Sequence, residues 1–455
     1  MTTTGAPDER VEATVALCGA HVVVSFDPPE LVRADLLVQG GRVVGFGTPP
    51  PGALRRDCTG TLVIPGLVCA HHHLYSALAR GMPFALAAPT DFTEILQRVW
   101  WRLDRALDEG SVRHSALRGG LDALLSGTTT IVDHHASPGF VDGSLDVLAD
   151  ELGRLGARSV LCYEVSDRDG PEVARAGVAE NERFCRVSRP LVRGMVGAHA
   201  SFTLSDDTLE RCAAAAAAAG AGVHIHVAEG AVDERDSLRR YGKRVVERLE
   251  SAGVLDAKAL LAHCVHVDDA EAEAVEHAGA TVVCNPRSNM NNGVGHSPFN
   301  ERSGRVALGT DGIDGDLLAE ATAGLFRAKE EDLATGGDWP LRRLAESARL
   351  AGRVFGEALL GTLREGAPAD LCVLGYDPPV PLEAANLAGH LVFGLSARLV
   401  RDVYVGGELV VEDGRSTRLD EAELAAGQRL VTAALWRRLE EIPAHPFDPG
   451  GEEGR

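Results

Sequence analysis

The sequence predicts an α/β fold: a (β/α)8 TIM-like barrel with a small β-sandwich formed from both chain ends. Three observations predict it. Between roughly Leu62 and Asp311, short β-branched runs alternate with amphipathic or Ala-rich stretches, as in βα units around a parallel sheet. Strand candidates in that stretch end near His71, His135, Glu164, His199, His226, His263, Asn285 and Asp311, the set a closed eight-stranded barrel requires. Two further β-rich pieces flank it.

The 455 residues exceed one ordinary domain, whereas a β/α barrel alone uses ~250 residues. We therefore divide the chain into a first part of the sandwich (1–60), a metal-dependent catalytic barrel (61–358), a second part of the sandwich (359–418), and a C-terminal helix with a frayed tail (419–455). His21 to Phe46 carries a turn at Gly40-Gly41, and Asp370 to Gly414 carries another at Gly406-Gly407. The first barrel strand begins near Pro65 and runs apolar into His71, His72 and His73. The segment from Arg80 to Arg113, with Trp100 and Trp101, is longer than a typical βα connection. It reads as a lid or pocket wall, or else as a purely structural helix. Before the fifth strand, Ser205 offers an N-cap, Ala213 to Ala219 is strong helix former, and Gly220 can end the helix. An Ala/Leu/Arg/Glu pattern from Asp420 to Glu441 predicts a helix, and the Pro/Gly/acid-rich stretch from Pro443 to Arg455 is expected to fray.

Hydrophobic content of 45% is ample for a full core, and the net charge of −21 argues against nucleic-acid or anionic-lipid partners. Nine cysteines, an odd number without a CxxC pair, do not form a disulfide framework. Cys69, Cys264 and Cys284 read as small core residues. Met1 to Val11 has no apolar stretch of the signal-peptide kind and no run approaches a membrane span, so a cytoplasmic protein is expected. No heptad pattern decides whether the chain forms a homo-oligomer.

The chemistry is concentrated at the predicted strand ends, where barrel enzymes place their active sites. Residues two apart on a strand share a face, so His71 and His73 can hold one metal while His72 points away. His226 ends a later strand, and Asp311 follows the apolar run Arg305 to Leu308. Three imidazoles and one carboxylate suit a catalytic metal that keeps a position for water. A metal held there is expected to lower the pKa of its water, with Asp311 taking the proton. Glu229, three residues after His226, is placed to protonate a substrate nitrogen. His263 can hydrogen-bond the developing oxygen, and His224 should lie one layer deeper in a structural role. Arg287, in the polar stretch after Asn285, offers a contact to substrate. His135 and His199 are strand-end histidines that either bind substrate or are satisfied within the barrel mouth.

The motifs PGLVCAHHH, HIHVAE, LAHCVH, CNPRSN and LGTDG, in this order, resemble the amidohydrolase superfamily, in its branch of mononuclear-zinc deaminases and chlorohydrolases of nitrogen heterocycles. The resemblance covers residues 20 to 415. Longer stretches, among them WWRLDRALDEGS, DHHASP, GAHASFT, RSNMNNGVG and NLAGHLVFG, resemble the SsnA-like aminohydrolase subgroup. The resemblance implies His71, His73, His226 and Asp311 as metal ligands, Glu229 as proton shuttle and His263 as the substrate-polarising histidine. Dinuclear relatives bridge two metals with a carbamylated lysine. The only lysines here are Lys243, Lys258 and Lys329, none at a barrel strand end, so one divalent metal is expected, Zn2+ or alternatively Fe2+. His72 and Met290-Asn291-Asn292 depart from the common pattern and make the pocket this chain's own.

The expected activity is hydrolytic deamination of a small nitrogen heterocycle such as a purine or pyrimidine, by attack of metal-activated hydroxide with release of ammonia. The alternatives are cyclic-amide hydrolysis or dechlorination at the same site, and, in another class, a non-catalytic scaffold that keeps the fold.

Overall fold

The computed structural model describes residues 14–83, 86–187, 189–302 and 304–449. Eight parallel strands follow one another around a barrel: β1 (Leu67–His72), β2 (Thr128–His135), β3 (Arg158–Val165), β4 (Val196–Ala200), β5 (Val223–Val227), β6 (Leu260–His263), β7 (Thr281–Cys284) and β8 (Val306–Leu308). Every residue of β1, β2 and β3 is buried, as expected of parallel strands covered on both faces. The eighth strand is short. Beyond it the chain still closes the barrel, with the Thr310 and Asp311 N–H groups donating to His71 O at 3.0 and 3.1 Å.

That closure depends on Gly309. A Cβ there would lie 2.5 Å from Asn285 Oδ1, 2.7 Å from His71 O and 2.8 Å from His71 Cβ. The absence of a side chain lets the last strand approach the first closely enough to bring Asp311 to the histidines of β1.

The helices behave as their sequences predict. Asp206–Ala219 is capped by the Ser205 side chain, which accepts from Thr208 N, and ends at Gly220 with φ 66°. Asp108 and Asp268 each build a reciprocal capping box at Glu109–Leu125 and Asp269–Ala278. The terminal helix spans Glu421–Glu441.

The flanking pieces form two sheets. One carries Val15–Cys18, Leu36–Gln39, Arg42–Phe46 and Leu54–Asp57. The other interleaves the chain ends: Leu371–Leu374 pairs antiparallel with Leu62–Pro65, which pairs parallel with His21–Phe26. Leu17, Leu36 and Val38 from the first meet Val22, Val63, Leu371 and Val373 from the second in one apolar core. The turns at Gly40-Gly41 and Gly406-Gly407 have positive φ at all four residues, and they abut each other, with Gly406 O within 2.8 Å of the Cβ position of Gly41.

The expected frayed tail is corrected over 443–449, while 450–455 lie outside the described residues. His445 is buried, its N–H donates to Gln97 O at 2.9 Å, and Gln97 Nε2 donates to Phe447 O at 2.8 Å. Both rings pack against Trp101, at centroid distances of 5.3 and 5.7 Å. Apolar and aromatic anchors hidden in a Pro- and Gly-rich stretch dock it.

Candidate active site

The strand ends bring four donors together. Ligand atoms of His71, His73, His226 and Asp311 all lie within 4.8 Å of one another, and all four residues are largely buried. Asp311 Oδ1 lies 3.5 Å from His71 Nε2 and 3.1 Å from His73 Nε2, and His73 Nε2 lies 3.1 Å from His226 Nε2. The other ring nitrogens fix the tautomers. His73 Nδ1 donates to His134 O at 2.6 Å and His226 Nδ1 to His199 O at 2.8 Å. His71 Nδ1 faces His224 Nε2 at 2.8 Å. Such outer contacts orient ligand imidazoles and leave Nε2 free.

The donor set fits a divalent cation. His71 Nε2 is buried without a hydrogen-bond partner, which is costly for a polar atom unless something binds it. Burial pushes His71 and His226 well below the ordinary imidazole range, so both are neutral donors. Burial also opposes charge on His73, but the Asp311 hydrogen bond and charge lift it to about 9. A bound cation takes the place of that proton. Against burial, the His71 and His73 contacts hold the Asp311 carboxyl well below its usual range. Asp311 sits at φ 53° and His263 at φ 72°, left-handed conformations that non-glycine residues adopt at a cost and that cluster at functional sites.

Around this centre lies a cavity open to solvent. Phe92, Leu96, Trp100, Trp101, Phe202 and Ile313 form apolar walls, so the long segment after β1 is a pocket wall. Glu229 faces the cavity, with Oε2 3.6 Å from His263 Nε2 and Oε1 accepting from Asn292 Nδ2 at 3.3 Å. Burial raises the Glu229 carboxyl above its usual range, with the Asp311 charge adding and His263 opposing. His263 Nδ1 meets Asn289 Oδ1 at 2.8 Å. The stretch after β7, expected as a polar loop, is a helix, Pro286–Asn292, with proline in its first turn. Its i,i+4 spacing lets Asn292 also reach Ser288 Oγ at 3.4 Å, and Ser288 Oγ donates to Asp311 Oδ2 at 2.5 Å. One short helix thus ties the Asp311 and Glu229 carboxyl groups together.

The three expected substrate contacts fare differently. His199 lines the cavity. Burial pushes it down to about 3, and its Nδ1 meets Thr203 Oγ1 at 2.7 Å. His135 is buried outside the lining and bonds Ser137 Oγ at 2.8 Å. Arg287 is also outside the lining. It is gripped by Asp314 at 3.0 and 2.6 Å and by Glu320 at 2.5 Å through its side chain and 2.8 Å through its backbone N–H. Its guanidinium braces the helix against Asp314 and Glu320. His72 points away from the donor set and meets Asp311 O at 2.6 Å. Sequence reasoning passed over Ser288 and Asn289, whose helical spacing with Asn285 and Asn292 was the available signal. It also passed over Glu164, one acid at a strand end with no motif around it.

Fold and site together define a metal-dependent hydrolase of the barrel type. The amidohydrolase family model matches residues 62–410, and the chain belongs to that family. Its relatives include a 5'-deoxyadenosine deaminase of Methanopyrus kandleri, 31% identical over 373 residues that cover 80% of this chain and 84% of the relative. A 5-methylthioadenosine/S-adenosylhomocysteine deaminase of Pyrococcus furiosus is 28% identical, with 89% and 96% covered. Among solved structures, an adenosine deaminase of Xanthomonas campestris with bound zinc has a TM-score of 0.79 at 22% identity, with 95% of this chain and 99% of that chain covered. The zinc complex of the atrazine chlorohydrolase TrzN of Arthrobacter aurescens TC1 has a TM-score of 0.79 at 22% identity, with 92% and 100% covered.

Proposed function

We propose that the protein is an aminohydrolase that removes an amino group from a purine-type or related nitrogen heterocycle and releases ammonia. The observation that carries this reading is the convergence of the His71, His73, His226 and Asp311 donors beside the Glu229 and His263 pair. The deaminases among its relatives support it. Zinc, or Fe2+, held by those four side chains supplies a Lewis acid that brings the pKa of a water towards neutrality.

The chain's own groups do the rest. Asp311, ionised at neutral pH and braced by Ser288, accepts the proton released as water adds to the amine-bearing carbon. Glu229, kept protonated to a higher pH than an ordinary glutamate, delivers its proton to the ring nitrogen and then takes up the adduct's hydroxyl proton as the carbonyl forms, while the proton held by Asp311 passes to the departing amine. Asn289 orients His263 so that Nε2 faces the new oxygen. The aromatic walls hold a flat ring and exclude water. No helix among the described residues is long and apolar enough to cross a membrane. A cytoplasmic location belongs to this proposal and rests on nine cysteines that are all free.

The test is ammonia release by zinc-loaded protein from aminated purines, pyrimidines, pterins and triazines, with Asp311→Asn as control. Release that needs Asp311 is the expected result. Halide or a ring-opened acid in place of ammonia would overturn it.

A further inference from the structure

The cavity has a pronounced charge asymmetry. Four acidic side chains face it, Glu164, Glu229, Asp233 and Asp311, and among the described residues no lysine or arginine lines it. The nearest guanidinium groups are already neutralised. Arg168 is paired with Asp104 and Glu164 and lies over the Trp101 ring at 5.5 Å. Arg287 is held by Asp314 and Glu320.

Three of the four have assigned tasks. Asp311 and Glu229 act at the reacting position. Asp233 accepts the N–H groups of Ala228 at 2.8 Å and Phe202 at 3.2 Å and so shapes the turn before Glu229. Glu164 has no part in the proton transfers. It lies at the end of β3, faces the cavity, and has a carboxylate oxygen within 4.8 Å of a ring nitrogen of each of His73 and His226. It therefore flanks the reacting position. Its neighbours are Arg168 Nη1 at 3.1 Å, His134 Nδ1 at 3.2 Å and His199 Nε2 at 3.7 Å. A carboxylate has about four lone-pair sites, so acceptor capacity remains for a ligand. Beside it, Trp101 Nε1 is a buried donor without a partner in the cavity wall.

We propose that this site selects substrates lacking an anionic group, and that Glu164 is the substrate-binding residue imposing the choice, by accepting an N–H or O–H from the substrate edge beside the reacting carbon. The proposal rests on the deaminase reading and narrows it. A free base or nucleoside meets an acceptor at Glu164 and a donor at Trp101. A nucleoside monophosphate brings negative charge to a pocket whose lining offers no lysine or arginine to receive it.

The experiment compares adenosine with its 5'-monophosphate, and 2'-deoxyadenosine with its 5'-monophosphate, by ammonia release and by calorimetric binding to the zinc-loaded protein. The anionic member of each pair is expected to show kcat/KM and affinity lower by on the order of 100-fold. Glu164→Gln should raise KM for the neutral members more than it lowers kcat and should narrow the gap within each pair. Equal binding or turnover within a pair in the wild type, or an unchanged gap in Glu164→Gln, overturns the proposal. A neutral compound that binds but yields no ammonia counts against the deaminase reading instead, and the binding comparison still judges the charge rule.

Discussion

Gly309→Ala adds one methyl group where the barrel closes. Its Cβ would stand 2.5 Å from Asn285 Oδ1, 2.7 Å from His71 O and 2.8 Å from His71 Cβ. All three neighbours are buried, and two belong to His71. Relief to ordinary contact near 3.4 Å needs a separation of roughly 0.6–0.9 Å, and overpacking of this kind costs about 1–3 kcal/mol. In a chain this long that lowers Tm by a few degrees at most. The larger effect falls on the metal. The shift exceeds the tolerance of about 0.2 Å for a ligand distance, and disturbed support of ligands typically costs 10–100-fold in affinity. Zinc competition with a chromophoric chelator, alongside calorimetric unfolding, measures both. Zinc affinity within twofold of the wild type, with an unchanged Tm, would show that closure by Gly309 does not position His71 and Asp311.

Removing 443–455 should leave the fold intact, because Arg102 keeps its bonds to Leu439 O and Ile442 O. Loss of the His445 and Phe447 rings from Trp101 should raise KM several-fold with a smaller change in kcat; steady-state kinetics decides. Ser288→Ala removes the hydrogen bond to Asp311 Oδ2 and should lower kcat by about tenfold, within the range for a displaced proton-transfer group, with zinc content unchanged by elemental analysis. Burial lifts Asp233 to about 7, above its unfolded value of about 3.9. The folded chain therefore holds that proton across the window, and stability falls as pH rises from about 4 through 7. Thermal unfolding from pH 5 to 8 should show a steeper decline in wild type than in Asp233→Asn, and parallel slopes would mean the carboxyl is ionised throughout.

The barrel was legible because its strands are short apolar runs that end in polar residues, and because alternation on β1 sets His71 and His73 on one face. Asp311 was legible as an acid just past an apolar run. The surroundings of Arg287 were not legible, since nothing local announces that Asp314 and Glu320, one of them 33 residues away, will enclose it. The helix after β7 was hidden by its asparagines, which favour turns unless a tertiary contact engages them. Here Asn289 bonds His263 and Asn292 bonds Glu229. Glu164 acquires its meaning from partners on other strands, and the tail was misjudged because composition outweighed its few aromatic anchors.

The interleaved sheet also sets an order of assembly. Leu62–Pro65 leads through Gly66 directly into the strand bearing His71, yet one of its neighbours, Leu371–Leu374, lies about 300 residues later in the chain. At roughly 5–20 residues per second, the ribosome needs tens of seconds to supply it. The strand that leads into His71 is therefore among the last to find its partner, leaving a nascent chain with an open sheet edge for that whole interval.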